Sequence, residues 1–142
     1  MKEIAFLEMP GFGINRLWWP GGRYAYVSAH FDGFTDHILC IVDLKDITKP
    51  EIVSRWWLPG MNRAGGETPT LPAGRRVALH HMITAGDRGY ARLARRRVHH
   101  PRYQRRRAEP KLLSHINWSP PFPGGTHTPL PLPGRNLAVV AR

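Results

Sequence analysis

Cysteine is nearly absent. Of 142 residues only Cys40 is one, which excludes an internal disulfide and a cysteine-based zinc site. Acidic side chains are scarce too: 10 Asp and Glu stand against 21 Lys and Arg, for a formal net charge of +11. No apolar run approaches the roughly 18 residues of a membrane-spanning helix, so no membrane association is expected. The opening segment MKEIAFLEMPG has neither a long apolar stretch nor a small-residue cleavage site. No signal peptide is therefore expected, and the expected location is the cytoplasm. Convincing helical periodicity is also missing, and Pro10, Pro20, Pro50, Pro59, Pro69 and Pro72 would break any long helix. HExxH, GxSxG, P-loop and GxGxxG fingerprints do not occur; Gly11-Phe-Gly13 lacks the third glycine and a helical context.

Turn residues are what the chain has in abundance, with Gly and Pro at 14 each. Apolar residues make up 42% and charged residues 22%, a balance that supports a packed fold rather than disorder. Between the turns lie short aromatic and β-branched runs. They are Tyr24–Val27, Ile38–Val42, Ile52–Leu58, Leu112–Trp118 and Leu137–Val140, each bounded by Gly, Pro, Asp or Asn. Strands of this length at this spacing predict an all-β sandwich, barrel or propeller.

The positive charge is concentrated. Residues 92–107 read RLARRRVHHPRYQRRR, in which eight of sixteen are Arg and none is acidic. Subtracting eight from +11 leaves about +3 for the rest, so the basicity belongs to one segment and not to the fold. Two readings fit the segment. Arg95, Arg96, Arg97, Arg105, Arg106 and Arg107 could contact nucleic-acid phosphates while Tyr103 stacks on a base. Alternatively the segment has no selected partner and binds polyanions only non-specifically. Crowded like charges and the missing donor of Pro101 predict that 92–107 does not form a regular strand of a sheet.

An internal repeat of about sixty residues is present. At an offset of 60, Pro50 meets Pro110, Ser54 meets Ser114, Gly65 meets Gly125 and Thr68-Pro69 meets Thr128-Pro129. Gly74-Arg75 meets Gly134-Arg135, and Ala78 meets Ala138. A looser copy, Gly21-Gly-Arg-Tyr-Ala-Tyr-Val27, lies about 52 residues before the second Gly-Arg turn. Units of this size containing several strands indicate a propeller-type array.

One unit can be written as a Gly-Arg turn, a Tyr24-Ala-Tyr-Val27 strand and an Ile38-to-Asp43 strand. Asp43-Leu-Lys-Asp-Ile-Thr-Lys-Pro50 follows, and then an edge strand from Ile52. This pattern resembles the LVIVD-repeat β-propeller family. The resemblance implies an incomplete β-propeller of about two to three four-stranded blades. The first blade would span about 12–60 and the second about 66–119, disrupted at 92–107. A third would begin at about 126–142, so the chain reads as a fragment of a longer propeller. The family pattern specifies architecture and says little about function. The expected role is a binding or scaffold module for a small molecule or protein, rather than an enzyme.

In the second unit the Ile-Val-Asp strand is replaced by Val98-His-His-Pro-Arg-Tyr-Gln-Arg105. The degenerate code allows codons for His99 to Arg105 that, read one base later, give Thr-Ile-Leu-Asp-Ile-Ser. This is the missing strand at its place in the repeat, and it suggests that 92–107 is translated out of frame.

The repeat register aligns His127 with Glu67, and the first Gly-Arg turn places Asn15 at the same point. In a propeller, residues before the innermost strand of successive blades approach the central channel. Asn15, Glu67 and His127 could therefore converge on a divalent metal or a polar ligand, or be polar loop residues at blade tips. On the metal reading the chain would be part of a propeller enzyme with a His-lined site. His30, His37 and His80-His81 are less well placed by this register. Asp32, Asp36, Asp43 and Asp46 read as turn caps, and Trp18, Trp19, Trp56, Trp57 and Trp118 as packing residues.

Overall fold

A computed structural model of the chain describes residues 2–69, 77–93, 97–104, 109–116 and 127–141, the side chains of 97–104 excepted. Among the described residues there are ten strands and no helix. Strands β1 (Gly13–Trp18), β2 (Tyr24–His30), β3 (Ile38–Asp43) and β4 (Glu51–Trp56) form one four-stranded sheet. Strands β5 (Leu79–Ala85), β6 (Arg88–Leu93), β7 (Arg97–Gln104) and β8 (Glu109–Ile116) form a second. Both are antiparallel meanders, in which chain neighbours are sheet neighbours. A hairpin of β9 (Pro129–Leu132) and β10 (Leu137–Val140) completes the set.

The central strands of the first sheet, β2 and β3, are buried on both faces, and strand alternation divides their side chains between two cores. Tyr26, Leu39 and Ile41 point toward the second sheet and pack with Leu79, Met82, Ala91 and Leu93. Ala25, Val27, Ala29, Ile38, Cys40 and Val42 take the other face, under Phe31 and Met61. Leu7 and Met9 of the N-terminal segment close over that second core. β5 is the hinge of the arrangement, packing on β1, β2 and β3 on one side and on β9 on the other. Trp18 and Trp56 pack against the core between the sheets and Trp57 against the outer one, as expected, whereas Trp19 is exposed. Trp118 lies outside the described residues.

The runs at Tyr24–Val27, Ile38–Asp43 and Ile52–Trp56 are strands, as their composition predicts. The charged segment departs from expectation. Residues 97–104 run as β7 between β6 and β8, so the prediction that they stay out of the sheet is corrected. Pro101 is accommodated by a register shift between His100 and Pro101, a bulge that spares the ladder its missing donor. Relative to β3 and β4, the offset of 60 lands on β7 and β8. The Gly-Arg-Tyr-Ala pattern is placed differently. At an offset of 52 it would fall on the start of β5, the first strand; the second strand of that sheet, β6, carries Tyr90-Ala91, but two residues further along the strand than Tyr24-Ala25 in β2. Both alanines are buried, Ala25 against one core and Ala91 in the other.

One ion pair joins the Gly22-Arg23 turn to the Val42-Asp43 end of β3. Arg23 Nε donates to both Asp43 oxygens at 2.8 and 2.9 Å, and its terminal nitrogen meets Oδ2 at 2.5 Å. The Tyr24↔Asp43 register sets the carboxylate beside the guanidinium. This contact, with a further hydrogen bond from the Lys45 amide, holds the Asp43 carboxyl below its usual range. Asp46 accepts from the Thr48 amide and hydroxyl, an Asx turn leading into Pro50.

Candidate functional site

The β2–β3 register pairs Tyr24 with Asp43 and continues to Ala29 with Ile38. The next position brings His30, the last residue of β2, across from His37, which immediately precedes β3. Their rings lie 5.4 Å apart, tilted at 46°. Asp36 is buried, and its Oδ1 accepts from the His37 amide at 2.8 Å and lies 2.7 Å from His37 Nδ1. His30 Nε2 is 3.2 Å from the carbonyl of Phe34. One nitrogen from each histidine and one Asp36 oxygen lie within 4.8 Å of one another, close enough for small side-chain rotations to bring all three onto one ion.

The surrounding loops fix this group. Gly11 has φ +110°, and a Cβ there would meet the Asp32 amide at 2.8 Å and Phe31 Cα at 2.9 Å. Only glycine lets the N-terminal segment approach so closely. That approach allows the Phe12 amide to donate to the His30 carbonyl at 2.9 Å and the Phe12 ring to lie 4.8 Å from the imidazole. On the far side, the Thr35 amide donates to the Met61 carbonyl and the Ala64 amide to the Gly33 carbonyl. The Leu79 amide donates to the His37 carbonyl at 2.9 Å, tying the site to the second sheet. Both histidines are half-buried and Asp36 is buried, so the site is framed by protein.

The three positions aligned by the repeat have separate surroundings. Asn15 is exposed on β1. Glu67 is committed to its own loop, where its carboxylate accepts from Trp57 Nε1 at 3.1 Å and from the amides of Gly60 and Asn62 at 2.8 and 3.0 Å. These bonds, that from Asn62 foremost, hold its pKa below the usual value. They make Glu67 a bracket for residues 57–67. His127 lies before β9, its ring 4.6 Å from that of His80. Arg95, Arg96, Arg105, Arg106 and Arg107 lie outside the described residues, and Arg97 opens β7.

His80 and His127 belong to a cationic cluster. His80 sits at the bulge where the β5–β6 register shifts between Leu79 and His81, and His81 pairs with Arg92. Burial, reinforced by the charges of Arg92, His127, Arg16 and His81, depresses the His80 pKa to about 4. Arg92 is also shifted down, by desolvation. His80 Nδ1 and Arg92 Nε are buried with no hydrogen-bond partner among the described residues. Such surroundings repel a metal cation and suit an anion. Cys40 contributes to neither site: burial pushes its thiol up to about 11, which leaves it protonated and inert at neutral pH.

The repeat register relates Asn15, Glu67 and His127, positions equivalent along the chain. The His30–Asp36–His37 group is equivalent to nothing in that register; it arises across the strand pair. The available signal was the spacing His-x5-Asp-His over a connection whose ends must meet once β2 and β3 pair. No helix among the described residues is long and apolar enough to cross a membrane. No family model, curated protein or solved structure matches the chain.

Proposed function

We propose that the chain is a run of blades of an LVIVD-type β-propeller, serving as a non-enzymatic binding or scaffold module for a small molecule or protein. The observation that carries this reading is the succession of two four-stranded antiparallel meanders packed through β5 on β1–β3, followed by the β9–β10 hairpin against β5. Meanders of four strands stacked face to face are the unit of propellers. The sixty-residue repeat supports it, since the offset carries β3 to β7 and β4 to β8.

The reading includes translation of 92–107 out of frame. In the β6–β7 register Arg88 faces Arg102, two like charges at directly opposed positions. Read one base later, position 102 becomes Asp. The pair would then be Arg with Asp, as Arg23 and Asp43 are between β2 and β3.

The test compares the present chain with the frame-restored protein by size exclusion and thermal melting. Blades are stabilised by their neighbours, and exposed strand edges template association. The restored protein is expected to be monodisperse and to melt cooperatively, whereas the present chain aggregates or melts broadly. Identical, cooperative behaviour of both would contradict the reading.

A further inference from the structure

We propose that His30, Asp36 and His37 form a binding site for a divalent transition-metal ion, with the remaining coordination positions open to water or a ligand. The proposal is independent of the propeller reading, because the β2–β3 register of a single sheet creates the site.

Three observations carry it. The donor atoms converge, all lying within 4.8 Å of one another. The two histidines face each other at one end of a hydrogen-bonded strand pair, with Ala29 and Ile38 in register beside them, so the sheet brings the imidazoles together before any ion arrives. The loop that supplies Asp36 is pinned on both sides, by Phe12 to His30 and by Thr35 to Met61. A preorganised site of this kind loses little conformational entropy on binding.

The donor set selects the ion class. Two imidazole nitrogens and one carboxylate oxygen, with no thiolate, suit zinc, cobalt, nickel, manganese or ferrous iron rather than cuprous copper. Calcium and magnesium prefer all-oxygen shells and fit poorly. Three protein donors leave at least one position of a tetrahedral ion unfilled, as in sites where a metal holds water or an exchangeable ligand. The side chains of His37 and Asp36 retain 18% and 8% exposure, so an ion bound there would be largely shielded from solvent. The Asp36 oxygen and His37 Nδ1 are held together at 2.7 Å.

The test is titration of the purified chain with Co2+, followed by its visible absorption, and with Zn2+ by calorimetry. One ion per chain is expected at the site, with His30→Gln, Asp36→Asn and His37→Gln each weakening binding by about tenfold or more. His80→Gln/His127→Gln, in the cationic cluster, is expected to bind as the unaltered chain does. A measurement on the unaltered chain guards against misfolded variants: carbethoxylation of histidines mapped by mass spectrometry, with and without Zn2+. Protection of His30 and His37, with His115 and His127 modified equally in both states, is the expected pattern. Wild-type-like binding by folded His30→Gln and His37→Gln, or no Zn2+ protection of either histidine, would overturn the proposal.

Discussion

The hydroxyl of Ser28 donates to the main-chain carbonyl of Leu79 at 2.6 Å, across 51 positions of sequence. Both residues are buried, and the bond joins the middle of β2 to the first residue of β5. With the Leu79 amide bonded to the His37 carbonyl, both polar groups of that peptide position are used to dock one sheet on the other. A serine in an otherwise apolar strand is accounted for by this single carbonyl.

Ser28→Ala should leave the Leu79 carbonyl buried and unsatisfied. The expected loss is about 1–3 kcal/mol, read as a lower midpoint in urea unfolding. An unchanged midpoint would mean that the sheets do not meet through Leu79.

Asp43→Asn removes the carboxylate that Arg23 grips. Arg23 is half exposed, so solvent screens the pair and the expected cost at neutral pH is about 1 kcal/mol. The pH dependence follows from the depressed pKa of Asp43. Its contribution is present above the unfolded value of about 4 and is lost as pH falls through the lower folded value. Melting temperatures of the two proteins should therefore differ at pH 7 and converge toward pH 2. A constant difference across that range would show that the ion pair is not its source.

The strands that could be read from sequence are those in which composition and burial agree. Ile38–Asp43 is apolar on both faces because both faces are covered, and Tyr24–His30 behaves likewise. β1 escaped notice because Ile14, Asn15, Arg16 and Leu17 are all exposed, so no alternation marks it. β6 carries a weak signal because its buried face consists of Gly89, Ala91 and Leu93, two of them small, while Arg88 and Arg92 lie on the other face. Asn15, Glu67 and His127 are equivalent positions in the repeat register. Equivalence along a chain does not place side chains together when one of them, Glu67, is consumed by three donors from its own loop. His30 and His37 meet because of strand register, which becomes visible only when β2 and β3 are paired residue by residue.

His80 should make the fold acid-sensitive. Its folded pKa is about 4 against an ordinary value of 6.5, so between those values the unfolded chain takes up a proton that the folded chain refuses. Stability is unaffected by this group above pH 6.5 and falls as pH drops toward 4. Melting at pH 7.5 and pH 5.0 should show a smaller difference for His80→Asn than for the unaltered chain. His81, shifted in the same direction, keeps the residual dependence above zero. Equal differences in both proteins would place His80 in a more solvated setting.

The reading-frame proposal makes a demand on the gene. For position 102 to become Asp when read one base later, the codon for Arg102 must be CGA or AGA, because the following Tyr103 codon begins with T. His100 must be CAT for the shifted frame to give Ile there, since Pro101 begins with C. Sequencing the gene checks both, and any other Arg102 codon would remove the Arg88–Asp pair on which the proposal leans.

The central claim is that β1–β4 and β5–β8 are successive blades, and an experimental structure of the complete frame-restored gene product tests it most directly. The account predicts a ring in which these two sheets pack face to face about a common axis. Ser28 should contact Leu79 between them, and an Arg88–Asp pair should repeat that of Arg23 and Asp43. Two sheets closing on each other as a sandwich, with no axis and no further blades, would contradict it.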